Sequence, residues 1–236
     1  MMPPEKLVIF DLAALVLNHS RALCQGIAVA FHSHGMVIDE EVSRMALGHS
    51  LEGGVMAVWR ETFSDRTLNA EMQRSLAESY RKEVLRFLKY SPSVRPMPAV
   101  LNTIAQLRVE SSQVGVSSDL DLDMVNIIFD RLERSASEML DGVVVAGEIG
   151  AAGFKAERLA QLMVQCGVKD GRSVIHVGTT EADIAAGRQV NCAQVFLLKT
   201  EGESTLRAEG ADGVLAFADE LMDHLNTGRS VQPGDA

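Results

Sequence analysis

An aspartate that directly follows a short apolar run near the start of the chain is the side chain most typical of a catalytic group. Residues 7–10, LVIF, are of the type that forms strands buried on both faces of a parallel sheet, and Asp11 follows them. Open α/β sheets bind their ligands at the carboxyl ends of such strands. Asp11 is therefore a candidate nucleophile or metal ligand, although an aspartate that caps the next turn would fit the same pattern.

Two later segments also place polar side chains just after a predicted strand. In QVGVSSD, residues 113–119, the strand ends on Ser117, whose hydroxyl and following amide can hold a phosphoryl or carboxylate oxygen. Ser117 or Ser118 can equally cap the helix that follows. In HVGTTEAD, Asp183 follows a strand and a turn, so it can bind a metal ion or simply interact with the dipole of its own helix.

The apolar periodicity predicts one strand, then helices, then an alternation of both element types. Helical patterns cover 20–34, 39–47, 51–63 and 68–90. The segment SPSVRPMP, residues 91–98, holds three of the six prolines and predicts an extended connector. The later predicted elements are helices 99–109, 121–134, 155–166, 181–190 and one ending near 225, with strands 113–117, 143–146, 173–177, 193–198 and 213–215. This order predicts a doubly wound parallel sheet with a helical insertion after the first strand.

The composition narrows the classes of function. A net charge of −10 over 236 residues argues against a nucleic-acid or anionic-membrane partner, and no apolar segment reaches the ~18 residues of a membrane span. The three cysteines lack disulfide or zinc spacing, and the chain opens without a secretory signal, so we expect a cytoplasmic protein with reduced thiols. The expected partner is a small-molecule substrate or ligand, and the sequence is compatible with a homodimer.

Taken together, these segments resemble the motifs of the haloacid dehalogenase (HAD) superfamily. Its first motif, D-x-D-G-T after a strand, carries an aspartate that attacks phosphorus or carbon and forms a covalent intermediate, and the chain has D-L-A-A-L from Asp11. The chain resembles the phosphonoacetaldehyde hydrolase-like and β-phosphoglucomutase-like branch; Ala13 matches the D-x-A-G-T that is usual in phosphonoacetaldehyde hydrolase-like members, whereas Ala14 and Leu15 depart from it. The resemblance implies an α/β, HAD-like (Rossmann-like) core of residues 1–16 and 93–226, an α-helical cap of residues 17–92, and a disordered tail, 227–236.

The resemblance also implies roles for single residues. Asp11 would be the nucleophile and Ser117 the hydroxyl of the second motif. Magnesium, if bound at all, would be held weakly by Asp11, Asp183 and the carbonyl of Ala13, because Thr179 replaces the first acid of the fourth motif. Residues that would contact the substrate are Ala13, Ser118 and Leu51.

The chain matches the third family motif poorly, and this motif is the one that supplies a positive charge beside the nucleophile. The third motif supplies a lysine or arginine, but Gly153 stands at the aligned position and Lys155 follows two residues later. A shifted loop can bring Lys155 to the site as a catalytic group; otherwise it is solvated, which is the usual state of lysine and the one we expect. His49, in the loop of the helical insertion, is a candidate for acid/base chemistry, although a lone loop histidine is normally solvated.

Three functions remain open from the sequence. The first is hydrolysis of a small phosphorylated or otherwise activated metabolite with Asp11 as the nucleophile. This hydrolysis would not use the Schiff base of phosphonoacetaldehyde hydrolases, because Leu51 stands at the position where those enzymes have the lysine that forms it. The second is a catalytically inactive pseudo-hydrolase that binds or regulates. The third is metal-independent substitution at carbon, as in dehalogenases, which requires a positioned cation.

Overall fold

The computed structural model describes residues 6–132, 138–146, 154–199 and 209–227. Its strands are β1 Leu7–Asp11, β2 Val16–Leu17, β3 Arg95–Pro96, β4 Gln113–Ser117, β5 Gly142–Val144, β6 Val174–Gly178, β7 Gln194–Leu198 and β8 Gly213–Leu215. Its helices are α1 His19–Ser33, α2 Glu40–Ser43, α3 Leu51–Thr62, α4 Ala70–Tyr90, α5 Val100–Val109, α6 Leu122–Arg131, α7 Lys155–Gln165, α8 Glu181–Gln189 and α9 Glu220–Thr227. Short 3-10 turns cover 12–14, 44–46 and 171–173.

Six of the strands form one sheet in the order β5-β4-β1-β6-β7-β8, and every neighbouring pair in it is parallel. β1 is central because both of its edges are paired, and all five of its residues are buried. Val8 and Phe10 pack into the core on one face, while Leu7 and Ile9 pack on the other. Burial on both faces explains the uninterrupted apolar run, since no position of the strand meets water.

Residues 19–90, here called the helical segment, contribute no strand to this sheet. Their helices pack on one another, and α1 lies so close to α4 that a Cβ added at Gly26 would lie 2.7 Å from the Val84 side chain. The segment leaves and re-enters the sheet layer through the antiparallel pair of β2 and β3, in which Leu17 lies opposite Arg95. The division into separate core and cap domains stays a prediction.

The predicted α/β fold with a doubly wound parallel sheet is confirmed, and the differences lie at element boundaries. The helix predicted over 39–47 is α2 followed by a 3-10 turn, which ends before Gly48. The strand predicted over 143–146 ends at Val144. The end of the helix predicted over 121–134 and most of the predicted tail lie outside the described residues. Among the helices of the described ranges, none has the length and apolar character needed to cross a bilayer.

Candidate active site

Three of the predicted site residues meet at the carboxyl edge of the sheet. Asp11 is the last residue of β1 and lies beside Ser117, the last residue of β4, in the strand register. Asp183 sits in the first turn of α8, directly after β6. Exposed fractions are 4% for Asp11, 4% for Ser117 and 0% for Asp183. Parallel strands bring their carboxyl ends to one edge, which is why residues so distant in sequence converge.

Lys155 joins this group, and the expectation that it would be solvated is wrong. Its Nζ atom lies 2.5 Å from Oδ2 of Asp11 and 2.8 Å from Oδ1 of Asp183, and its side chain is only 9% exposed. A third carboxylate, Asp119, lies 3.1 Å from the same Nζ atom. Burial by itself lowers the pKa of Lys155, but the three carboxylates outweigh it and raise the pKa well above its ordinary value. The ammonium is thus held as a cation beside the candidate nucleophile.

Asp119 and Arg158 are site residues that the sequence analysis missed. Arg158 is 3% exposed and forms an ion pair with Asp119. Lys155 and Arg158 are three residues apart on α7, so the two cations project from one side of the helix. The sequence did contain one signal for Asp119: it lies two residues after Ser117, close to the carboxyl end of a strand, where α/β sheets bind their ligands. We call Asp11, Asp119, Asp183, Lys155 and Arg158 the inner cluster; its three carboxylates and two cations leave a formal charge of −1.

Asp183 is the most fully bonded carboxylate of the inner cluster. Its Oδ2 atom accepts hydrogen bonds from the amide of Thr179 at 3.1 Å, the amide of Thr180 at 2.9 Å and the hydroxyl of Thr180 at 2.7 Å. Burial opposes ionisation, but Lys155 and the ring of His176, whose Nε2 lies 3.4 Å from Oδ1, hold the pKa of Asp183 well below its ordinary value. Gly178 is required here, since a Cβ would lie 2.1 Å from that of Asp183.

Asp11 has fewer donors and a different protonation behaviour. Its Oδ1 atom accepts one hydrogen bond from the amide of Ala13 at 2.9 Å, and Oδ2 faces Lys155. Burial raises the pKa of Asp11 to about 6; Lys155 opposes the increase, while the charges of Asp183 and Asp119 add to it. Near neutral pH the carboxylate is ionised but poorly stabilised, which is a suitable state for a nucleophile.

The oxygen atoms at this edge of the sheet do not fit a magnesium site. Asp11 and Asp183 each direct an oxygen at the ammonium of Lys155, and the other oxygen of Asp183 is used by three donors. Thr179 offers only a neutral hydroxyl, whereas Mg²⁺ requires hard oxygen ligands in near-octahedral geometry. Within the four described ranges, no group of three or more His, Cys, Asp or Glu side chains is arranged to hold a metal ion.

The remaining predicted residues take varied positions. The hydroxyl oxygen of Ser118 accepts the amide of Leu120 at 3.0 Å, so it performs the local capping that was the alternative interpretation. His49 is exposed and lines a cavity of about 820 Å³ together with Lys155. Leu51 lines an adjoining cavity of about 700 Å³. Four residues from the helical segment and the sheet edge line both cavities: Ser50, Glu52, Gln73 and Asp119. The inner cluster therefore opens into a cleft between the helical segment and the sheet.

Comparison with known proteins identifies the family to which this fold and its inner cluster belong. A model of the haloacid dehalogenase-like hydrolase family matches residues 8–197, and the chain belongs to that family. A phosphonoacetaldehyde hydrolase of Bacteroides fragilis is 23% identical over 186 residues, which cover 76% of this chain and 70% of that protein. The solved structure of a hydrolase from Pseudomonas syringae has a TM-score of 0.81 at 15% identity, covering 94% of this chain and 99% of the other. A β-phosphoglucomutase from Clostridium difficile has a TM-score of 0.79 at 15% identity, covering 94% and 96%.

Proposed function

We propose that this family member hydrolyses a small activated metabolite through a covalent intermediate on Asp11, with Lys155 supplying the positive charge and without a requirement for Mg²⁺. The observation that carries the proposal is the buried ammonium of Lys155, 2.5 Å from Oδ2 of Asp11. A buried lysine this close to a carboxylate neutralises the approach of a negatively charged electrophile and stabilises the leaving charge. The Schiff-base route is not part of the proposal, since Leu51 has no amine.

The hydroxyl of Ser117 fits the second role of the site, which is to orient the substrate. Ser117 lies beside Asp11 in the sheet register and is 4% exposed. Its hydroxyl has no partner among the described residues, so it is available to donate a hydrogen bond to an oxygen of the substrate. A rigid strand end holds this donor, which favours a reproducible geometry for attack by Asp11.

The charge of the inner cluster favours carbon over a phosphate dianion as the electrophile. Its formal charge is already −1 with both cations counted, and Lys155 is shared among three carboxylates. A dianion a few ångströms away would meet a repulsion on the order of several kcal/mol. Further out in the cleft, Arg81 is likewise paired, with Asp121 and Asp123. Metal-independent substitution at a carbon that bears a good leaving group is therefore the preferred reaction, and hydrolysis of phosphate esters is the alternative.

A direct test detects the covalent intermediate and identifies the electrophile. The full chain is incubated in H₂¹⁸O with EDTA and a panel of p-nitrophenyl phosphate, acetyl phosphate and 2-chloropropionate, and samples are quenched in acid for mass spectrometry of the Asp11 peptide. We expect an adduct on Asp11 that is insensitive to EDTA. Attack of water on the ester carbonyl of an alkyl adduct leaves ¹⁸O in Asp11, whereas attack on phosphorus leaves it in phosphate. Absence of both adduct and turnover across the panel would favour the inactive pseudo-hydrolase.

A further inference from the structure

Phe154 is an exposed aromatic residue directly beside the buried lysine of the inner cluster. It immediately precedes α7, and it is 71% exposed. It lines the cavity of about 820 Å³ together with Lys155, whose Nζ atom lies 2.5 Å from Oδ2 of Asp11. The other large apolar side chains that are exposed in the described ranges, Phe217 among them, line neither cavity of the cleft. An aromatic ring that is open to water inside a cleft is typical of a surface that a ligand covers.

The lining of this cavity is apolar well beyond the ring of Phe154. Six apolar side chains from α3, the start of α7 and α8 take part in it, and we call them the apolar wall: Met56, Phe154, Ala156, Ala182, Ala185 and Ala186. The members from α8 are spaced three and four residues apart, so they lie on one face of that helix. Because alanine has no side-chain atoms beyond Cβ, this face leaves room in the cavity for a ligand.

The charged side chains of the same cavity do not favour a second anionic group on the substrate. Lys155 and Arg158 line the cavity, but both are already paired with Asp119. Glu52, which is exposed, also lines the cavity and would repel an anion. The lining residues that α8 contributes carry no charge. The cavity therefore offers apolar surface to be covered and no uncommitted lysine or arginine.

We infer that the apolar wall binds the part of the substrate that does not react, and that this part is an uncharged aliphatic or aromatic group. The inference rests on the proposed function and specifies its substrate class: a compound whose reactive carbon carries both a good leaving group and an apolar chain. With the reactive carbon at Asp11 and Lys155, the chain extends into the cavity beside Phe154. Covering the ring removes apolar surface of both partners from water. Such contacts have no directional requirement, so the wall selects for the length and polarity of the chain.

The test measures the binding of reaction products, so it does not depend on turnover. The full chain is titrated by calorimetry with 2-hydroxypropionate, 2-hydroxybutyrate and 2-hydroxyhexanoate, which share one head group while the chain grows by up to three methylenes. Partial to complete burial of the three methylenes should lower the Kd by roughly 10-fold to 60-fold. Phe154→Ser should reduce this gain at least about threefold, whereas Phe154→Leu, which stays apolar, should keep most of it. Phe217→Ser removes an exposed phenylalanine outside the cleft and should behave as the wild type.

A loss of folding should not obscure the result, because serine is a preferred residue at the N-cap position of a helix and Phe154 occupies that position of α7. The Tm of Phe154→Ser should equal or exceed that of the wild type. An unchanged gain in Phe154→Ser would overturn the apolar wall as a substrate site. So would a wild type that binds none of the three acids, or whose Kd does not depend on chain length.

The matching series of 2-chloro acids separates this inference from the proposed function. An adduct on Asp11 whose rate of formation is independent of chain length, in a protein whose Kd values are equally independent of it, would overturn the apolar wall and leave the proposed function standing. Binding that strengthens with chain length and loses this gain in Phe154→Ser, without an adduct from any compound, would overturn the proposed function and leave the apolar wall standing.

Discussion

Lys155 and Asp11 are 144 positions apart in the chain, yet their side chains meet at 2.5 Å in a buried contact at the carboxyl edge of the sheet. Two further carboxylates, Asp119 and Asp183, approach the same ammonium. Asp119 also pairs with Arg158, and Asp183 accepts three further hydrogen bonds, whereas Lys155 is the only cation paired with Asp11 among the described residues. The buried carboxylate of Asp11 therefore depends most on this lysine for compensation of its charge.

Lys155→Met should therefore affect both activity and stability. The variant keeps the length of the side chain but leaves the buried carboxylate of Asp11 without a cation and close to two other carboxylates, so we expect loss of detectable turnover and destabilisation of roughly 3–5 kcal/mol. Thermal unfolding and turnover of the panel compounds measure the two effects. The matched control is Lys169→Met, since Lys169 is exposed and its replacement should change stability by no more than about 0.5 kcal/mol. Normal turnover in Lys155→Met would remove the central observation of the proposed function.

The two acids that share Lys155 should respond to pH in opposite ways. Burial raises the pKa of Asp11 to about 6 from an ordinary 3.8, so the folded protein binds more protons than the unfolded chain at this group between those values. The stability that Asp11 contributes is complete below about pH 4 and is lost as the pH rises through 6. Asp11→Asn should accordingly have a Tm at or above that of the wild type at pH 8, with a smaller advantage at pH 4.

Asp183→Asn is the matched opposite. The pKa of Asp183 is held well below its ordinary value, so this group stabilises the fold above about pH 4 and loses the effect as the pH falls. A side-chain NH₂ group in place of Oδ2 could not accept the hydrogen bonds that Oδ2 now accepts from Thr179 and Thr180. The Tm of the variant at pH 7 should therefore fall by several degrees. Differential scanning calorimetry of both variants at pH 4 and pH 8 compares them. A lower Tm for Asp11→Asn than for the wild type at pH 8 would contradict a raised pKa of Asp11.

Turnover should follow the ionisation of the same nucleophile. Because only the carboxylate of Asp11 attacks, the rate of adduct formation should rise about tenfold per pH unit up to about pH 6 and then level off. The pH profile of kcat/KM for the fastest panel compound measures this. A profile that is flat between pH 4 and pH 6 would mean that Asp11 is already ionised throughout, or that it is not the attacking group.

The sequence predicted the part of the site that depends on strand ends and did not predict the position of Lys155. Asp11 and Ser117 end two neighbouring strands and Asp183 lies in the helix after a third, and parallel strands carry such residues to one edge of the sheet. Lys155 follows a connection whose residues, including Gly153, lie outside the described ranges, so counting positions from the family motif did not locate its ammonium. The usual preference of lysine for solvent pointed the wrong way, because three carboxylates reverse the cost of burying it.

Asp119 and Arg158 show a different limit. Asp119 ends the segment that resembles the second motif without being the residue matched to it, and an isolated aspartate or arginine in a sequence is most often a surface or capping residue. What distinguishes the two is three-dimensional: the ion pair between them and the ion pair of Asp119 with Lys155. Contacts between residues so far apart in the chain leave no periodic signal.

Thr179→Asp should create magnesium affinity at a site where we expect little in the wild type. Thr179 is 3% exposed and its amide donates a hydrogen bond to Asp183, so a carboxylate at this position would lie beside that of Asp183. Isothermal titration with MgCl₂ should give no saturable binding for the wild type and submillimolar binding for the variant. Thr179→Asn introduces a side chain with the shape of aspartate but without its charge, and this variant should behave as the wild type. Submillimolar binding by the wild type would contradict the proposed independence from Mg²⁺.

Asp119→Asn tests whether the negative charge of the inner cluster selects against phosphate. The substitution keeps an oxygen for Lys155 and Arg158 but changes the formal charge of the cluster from −1 to zero. Since Asp119 lines both cavities, the change occurs in the wall of the cleft itself. A unit charge about 4 Å from the bound anion, at an effective dielectric constant near 20, contributes up to about 4 kcal/mol, and about 1.4 kcal/mol of this is enough to lower the Kd for inorganic phosphate tenfold, which is the change we expect.

The matched control for this measurement is Asp170→Asn, which makes the same change in net charge at an exposed position beside Arg172. Calorimetric titration of both variants with inorganic phosphate, at low and at physiological ionic strength, separates a local effect from long-range attraction, because salt screens the latter over about 8–10 Å. We expect the gain in Asp119→Asn to persist at physiological salt and Asp170→Asn to bind phosphate as the wild type does. An equal gain in both variants, or none in Asp119→Asn, would mean that the carboxylates around Lys155 do not decide which electrophile the cleft accepts, and phosphate esters would then return as the first class of substrate to examine.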